Sequence, residues 1–291
     1  MDLPFFNRIA IVGPGLLGAS LGLAVQHHGL CGSVIGIGRT QSSLDDAVRA
    51  EAVHSTTTDV AAGLADADLV VLCTPIRTIL RMLPDVMAAC KPGAIVTDVG
   101  STKLSVVAAG EEAARRHGLL FVGSHPMAGS EKSGARNAKA NLFDGTTCYV
   151  TRTPDTNLHA FARVCALWRT LGTRIVVMRP DRHDRLAALV SHLPHLLAVA
   201  LMKTVEMTGE DKNLIKGIIG NGFRDTTRIA AGNTDMWVDI CRDNDPAVRE
   251  AERLFQSALK LLVCGEHGGD DAGLHRVLEE AADYRDFLAN R

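Results

Sequence analysis

Apolar residues follow two different rhythms along this chain. In the first half they gather in short runs, Arg8–Val12, Val34–Ile37, Asp68–Cys73, Ala94–Asp98 and Leu119–Gly123, separated by stretches with helical spacing. Continuous apolar strands alternating with helices predict a parallel sheet covered on both faces. Two more β-rich runs, Thr146–Thr151 and Arg174–Met178, flank an amphipathic stretch from Asn157 to Leu171 and are expected to extend the same sheet. Past Pro180 the strand-like runs stop, and helical spacing carries Arg182–Met207, Asn213–Ala231, Pro246–Cys264 and Ala272–Ala289. The pattern therefore predicts an α/β domain over residues 1–180 and an all-helical domain over 181–291, in line with roughly 150 residues per domain. No internal repeat or long polar linker separates them, so the two should abut, and the amphipathic helices suggest a homodimer through a shared helical core.

Composition narrows the class. Hydrophobic residues make up 46% and charged residues 22%, as in an ordinary globular protein. Lys and Arg total 31 against 33 Asp and Glu, a formal net charge of -2, without a block of like charge; neither a nucleic acid nor a membrane surface is an expected partner. Seven dispersed cysteines with no C-x-x-C pair suit a reducing cytoplasm. No basic region precedes an apolar stretch at the N-terminus, and no apolar run approaches the roughly 20 residues that span a bilayer.

The first candidate chemistry is the turn Gly13-Pro14-Gly15-Leu16-Leu17-Gly18, a G-x-G-x-x-G placed after an apolar strand and before a helical run. In that context Gly13 permits the turn, Gly15 admits a pyrophosphate to the backbone, Gly18 lets helix and strand pack closely, and the helix N-terminus offers partial positive charge. The sheet is then of the Rossmann type, doubly wound and mostly parallel, and Thr74 and Pro75 after the Asp68–Cys73 strand complete the expected cofactor set with Leu16 and Leu17. At the end of the second strand, where an acidic residue would accept hydrogen bonds from an adenosine ribose, the chain reads Gly38-Arg39-Thr40-Gln41-Ser42-Ser43. A guanidinium and hydroxyls suit a 2′-phosphate, so NADP is expected over NAD. The other reading of Arg39 is a solvated loop residue.

Polar residues beyond the carboxyl ends of the later strands come next. Ser101, in Val99-Gly100-Ser101-Thr102-Lys103, could orient a catalytic group or the nicotinamide, or cap a helix. His125 is held extended by Pro126 at a strand end, where an imidazole can take a proton from a substrate hydroxyl; a structural turn histidine is the alternative. In Ser191-His192-Leu193-Pro194-His195, Ser191 and His195 share a helix face, and Pro194 should kink the helix. His183 and Asp184 lie upstream, yet no ligand spacing of metal-site strength appears, and no metal is expected. Arg224 and Arg228, four apart after Gly222, could clamp carboxylates, or Arg228 could merely pair with Asp225.

Together the glycine turn, Asp98-Val99-Gly100-Ser101-Thr102-Lys103, Ser124-His125-Pro126-Met127-Ala128-Gly129, Ser191-His192-Leu193-Pro194-His195 and Gly222-Phe223-Arg224-Asp225-Thr226-Thr227-Arg228-Ile229-Ala230 resemble the prephenate/arogenate dehydrogenase family over nearly the whole chain. The resemblance implies oxidative decarboxylation of prephenate or arogenate, with hydride passing to the nicotinamide and loss of carbon dioxide aromatising the ring. It implies that His125 deprotonates the ring hydroxyl, that Ser101 supports His125 and the nicotinamide, that His195 and Ser191 contact substrate, and that Arg228 pairs with a substrate carboxylate. Glu131 and Asp225 match positions of ionic contacts near the cleft mouth, and Trp237 one that the dimer neighbour supplies. Two other classes compete. A β-hydroxyacid dehydrogenase would rely on a lysine such as Lys203, Lys212 or Lys216, and a non-catalytic NADP-sensing regulator would keep only the cofactor fold.

Overall fold

The computed structural model describes residues 5–128, 132–263 and 271–289. Its first layer alternates strand and helix: β1 (Phe6–Val12), α1 (Leu16–His27), β2 (Cys31–Ile37), α2 (Gln41–Arg49), β3 (Ser55–Thr57), α3 (Val60–Leu64), β4 (Leu69–Leu72), α4 (Ile76–Ala89), β5 (Ile95–Asp98), α5 (Leu104–His117) and β6 (Leu120–Val122). The six strands form one sheet in the order β3-β2-β1-β4-β5-β6, every pair parallel. Strand order reverses between β1 and β4, which opens a crevice at their carboxyl ends. Ile9, Ile11, Val34 and Val71 bury one face and Ala10, Val12, Val70 and Leu72 the other, so the short strands read as continuous apolar runs.

The next strands do not continue this sheet. β7 (Ser124–Pro126) pairs antiparallel with β8 (Thr147–Thr151), which pairs parallel with β9 (Arg174–Met178) after α6 (Leu158–Thr170), giving a separate three-stranded sheet. This corrects the expectation of a single sheet. The chain leaves β6 at Gly123, where a Cβ would lie 2.5 Å from Val107 Cγ2 and 2.6 Å from Thr151 Oγ1. Only a glycine lets the backbone press so close to α5 and β8 between the last strand of one sheet and the first of the next.

The helical half begins with a continuous helix from Pro180 to Met207, made of α7 (Pro180–Ala187), a π-helical turn (Ala188–His192) and α8 (Leu193–Met207). The predicted irregularity at Pro194 is thus a wider turn just before it, which accommodates a residue that has no amide hydrogen to donate. Contrary to the sequence reading, this helix is long and apolar enough, by length and composition, to cross a bilayer. Its buried positions, however, include His183, Asp184, His192 and His195. The stretch read as one helix over Asn213–Ala231 is three pieces: α9 (Lys212–Ile218), α10 (Asn221–Thr227) and a 3₁₀ turn (Arg228–Ala231), broken where Ile219 and Gly220 turn extended. α11 (Thr234–Asp243) follows.

By packing, Met1–Asn244 forms one compact unit and Asp245–Arg291 a second. The second holds α12 (Asp245–Val263) and α13 (Asp271–Ala289), with Leu254, Leu259, Leu278, Tyr284 and Phe287 among its exposed apolar side chains.

Candidate active site

The glycine turn is built as its spacing requires. Gly13 has φ of +86°, a conformation that side chains rarely adopt, and its amide is bonded to the Ile37 carbonyl at the end of β2. A Cβ on Gly13 would lie 2.7 Å from Thr74 Cγ2, so the β1 turn sits directly against the loop after β4. A Cβ on Gly18 would meet the Gly13 carbonyl oxygen at 2.5 Å and Ile11 Cγ2 at 2.9 Å, which is why α1 can lie so close to β1. Gly15, the N-cap of α1, faces open space with nothing within 4 Å. Leu16 and Leu17 open that helix, and Thr74 and Pro75 lead into α4. A dinucleotide pyrophosphate fits this cradle, since the amides of the first turn of α1 are unpaired by the helix itself.

At the end of β2, Arg39 is exposed and forms no ion pair among the described residues. Thr40 caps α2, with its hydroxyl 2.9 Å from that of Ser43. The acids that follow are engaged elsewhere, Asp45 with Gln41 and Asp46 with Arg49 and Arg136.

Beyond β5 the site is anchored by a buried ion pair. Lys103 and Asp98 are both fully buried, and the lysine ammonium donates to Asp98 Oδ2. Asp98 also accepts the amide of Gly100 at 2.8 Å and that of Ser124 at 3.2 Å, while the Ser124 hydroxyl donates to the Asp98 carbonyl at 2.6 Å. The Trp168 indole donates to the same hydroxyl at 3.0 Å. Ser124 is thereby tied to β5, and the next residue is His125. Ser101 lies half-buried in the turn between the anchored Gly100 and Lys103.

His125 is 8% exposed. Its Nδ1 lies 2.9 Å from His183 Nε2, and His183 Nδ1 lies 2.8 Å from Asp184 Oδ1. Asp184 in turn accepts the amides of Lys103 at 2.7 Å and Leu104 at 2.9 Å, capping α5 from the helical half. Desolvation by burial, then the neighbouring His183, Lys103 and His192, hold the His125 imidazole well below its ordinary pKa, so it is a neutral base near pH 7. His183 and Asp184 entered the sequence reading only as conceivable metal ligands; their packing against His125 joins α7 to β7, a contact no local pattern announces. Among the described residues no group of three or more His, Cys, Asp or Glu is arranged to hold a metal ion.

A second cluster lies on α8 and α11. The His195 ring stacks on Trp237 with centroids 3.6 Å apart and planes 8° from parallel, and His192 meets the same indole edge-on at 6.1 Å. Within one chain this stack is made by the chain's own Trp237, and Gly232 makes room for it, since a Cβ there would lie 2.5 Å from the indole nitrogen. His195 is hydrogen-bonded to the backbone of Ile229, and its buried Nδ1 has no partner among the described residues. Ser191 sits half-buried in the π-helical turn one step before His192. Arg228 opens the 3₁₀ turn that carries Ile229, is exposed, and forms no ion pair among the described residues; Asp225 is exposed one turn earlier. Glu131 lies outside the described residues. Lys203, Lys212 and Lys216, the lysines a β-hydroxyacid enzyme would need, are all exposed.

Comparison with known proteins agrees with this geometry. The model of the prephenate dehydrogenase nucleotide-binding domain matches residues 21–177, and that of the prephenate dehydrogenase dimerization domain matches residues 179–280. The chain belongs to the prephenate dehydrogenase family. Cyclohexadienyl dehydrogenase of Zymomonas mobilis is 33% identical, the match covering 88% of this chain and 87% of that protein. Prephenate dehydrogenase of Aquifex aeolicus, solved with hydroxyphenyl propionate and NAD+, superposes with a TM-score of 0.91 at 30% identity, over 99% of this chain and all of that one. Synechocystis arogenate dehydrogenase superposes at 0.83, also 30% identical, over 97% and 99% of the two chains. The protein is thus a nicotinamide-dependent dehydrogenase of the prephenate and arogenate type.

Proposed function

We propose that this protein converts prephenate to 4-hydroxyphenylpyruvate and carbon dioxide, arogenate to tyrosine and carbon dioxide, or both, with NADP as the preferred acceptor, in tyrosine biosynthesis. The observation that carries the reading is His125, a buried and neutral imidazole set at the carboxyl end of the sheet beyond the glycine cradle. It takes the proton of the ring hydroxyl as the carbon bearing it becomes ketone-like, and loss of the ring carboxylate then restores aromaticity. The nicotinamide, when bound, supplies the hydride acceptor. Ser101 steadies the nicotinamide end of the site, while His195, through its unpartnered Nδ1, and Ser191 contact the substrate. Arg228 offers a free guanidinium to a substrate carboxylate in a charge-assisted fork, with Asp225 and Glu131 at the rim. The stacked His195–Trp237 wall excludes water, which strengthens each polar contact.

The preference for NADP rests on Arg39, Thr40 and Ser43 at the end of β2, and the Aquifex relative carries NAD+. Homodimerisation is supported by the matched dimerization domain and by exposed Val190, Leu201, Leu214 and Ile218 on the helices. The described cysteines are all free, which suits the cytoplasm.

The test is turnover of each substrate with each cofactor, followed by absorbance of the reduced nicotinamide. Activity on neither prephenate nor arogenate refutes the proposal. His125→Asn should abolish most turnover while substrate still binds, and a monomeric mass by light scattering removes the dimer.

A further inference from the structure

Two buried residues beside His125 have no part in the chemistry just described. His183 is 1% exposed and Asp184 4%. Both Asp184 oxygens receive backbone amides from the start of α5, so this carboxylate is an acceptor and the proton between it and His183 belongs to His183 Nδ1. Burial holds His183 below its ordinary pKa, which leaves a lone pair on its Nε2. That lone pair lies 2.9 Å from His125 Nδ1, and with His125 neutral as well, the proton between the two rings sits on His125 Nδ1. The unprotonated nitrogen of His125 is then Nε2.

We infer that His183 and Asp184 are positioning residues, a fixed hydrogen-bond relay that holds His125 in the tautomer and ring orientation required of a base at Nε2. The inference rests on the reading of His125 as the proton acceptor and adds how the acceptor is prepared. During the step the substrate O–H bond breaks and its proton passes to His125 Nε2. The Nδ1 proton stays in place, donating to His183, and Asp184 steadies the resulting cation without taking a proton. The groups packed around the relay are Lys103, His192, Asp98 and Tyr149, and the Lys103 ammonium opposes protonation of His125. The relay also joins the two halves of the site, since Asp184 reaches α5 from the helix that carries His192 and His195.

Nitrogen-15 NMR of the full-length protein labelled at histidine tests this directly, with the His125 signal assigned by its loss in His125→Asn. Near neutral pH the wild type should carry the His125 proton on Nδ1. His183→Phe keeps a ring but offers no acceptor; it should move the His125 proton toward Nε2 and lower kcat by on the order of 10²–10⁴, the range that a positioned general base contributes, with KM within about threefold. His183→Gln, whose Oε1 can accept, should keep kcat within about tenfold of wild type. A merely structural His183 would lower thermal stability without moving the proton or splitting kcat from KM. The inference is overturned if wild-type His125 carries its proton on Nε2, or if His183→Phe turns over within about threefold of wild type. Should His183→Phe not fold, the wild-type spectrum and His183→Gln still decide, and the spectrum does so even if the proposed substrates are not turned over.

Discussion

Gly15 and Gly18 stand three residues apart in one turn, and the structure gives them opposite duties that a pair of alanine substitutions separates. Gly15 has φ of -78° and ψ of -151°, which an alanine adopts without strain, and its missing Cβ would touch nothing. Gly15→Ala should therefore leave stability within about 0.5 kcal/mol of wild type. The new methyl does occupy the space a pyrophosphate would take, and overpacking of that kind costs about 1–3 kcal/mol. At about 1.4 kcal/mol per factor of ten, the cofactor Kd should rise roughly 5- to 150-fold. Gly18→Ala places its methyl 2.5 Å from the Gly13 carbonyl and 2.9 Å from Ile11, both fixed in the core, so α1 must move off β1. The same 1–3 kcal/mol is then lost from folding, a fall in Tm of roughly 2–12 °C for a chain of this size. Thermal melts without cofactor and titration calorimetry with NADP read the two quantities independently. Equal loss of Tm in both variants, with Gly15→Ala binding NADP as tightly as wild type, would refute the assignment of space to cofactor at Gly15.

Three further outcomes follow from the site. Arg39→Ala should raise KM for NADP by about tenfold or more while changing that for NAD little, read from steady-state kinetics; equal effects on both would show Arg39 to be a solvated loop residue. Lys103→Met leaves the buried Asp98 carboxyl without its ammonium and should cost about 3–5 kcal/mol, with part recovered in the double variant Asp98→Asn/Lys103→Met; a shift in Tm of under about 2 °C would count against the pair as an anchor. Burial lowers the pKa of His192 to about 4 in the fold, whereas an unfolded imidazole takes up its proton near 6.5. Proton uptake between those values favours the unfolded chain, so stability should hold above pH 6.5 and decline as pH falls toward 4, and His192→Gln should flatten that decline in melts across pH.

Several features of this protein are local enough to be read along the chain. The β1 turn is one, because its three glycines act within six residues on a strand and helix that are already contiguous. The same is true of the apolar strands, whose burial on both faces leaves no alternation to confuse, and of the position of His125, set extended by the proline that follows it. What the sequence left open involves residues far apart in number. That β7, β8 and β9 form a second sheet is a matter of which strands pair across the fold, and the composition of the strands themselves does not reveal it. The partners of His125 sit 58 residues away on α7, and the indole that stacks on His195 comes from α11 of the same chain. Residue types and spacing along the chain thus determined the cradle, the base and the cationic clamp as candidates. Tertiary packing decided which nitrogen of His125 is free, because a tautomer is set by whichever acceptor burial brings against the opposite side of the ring.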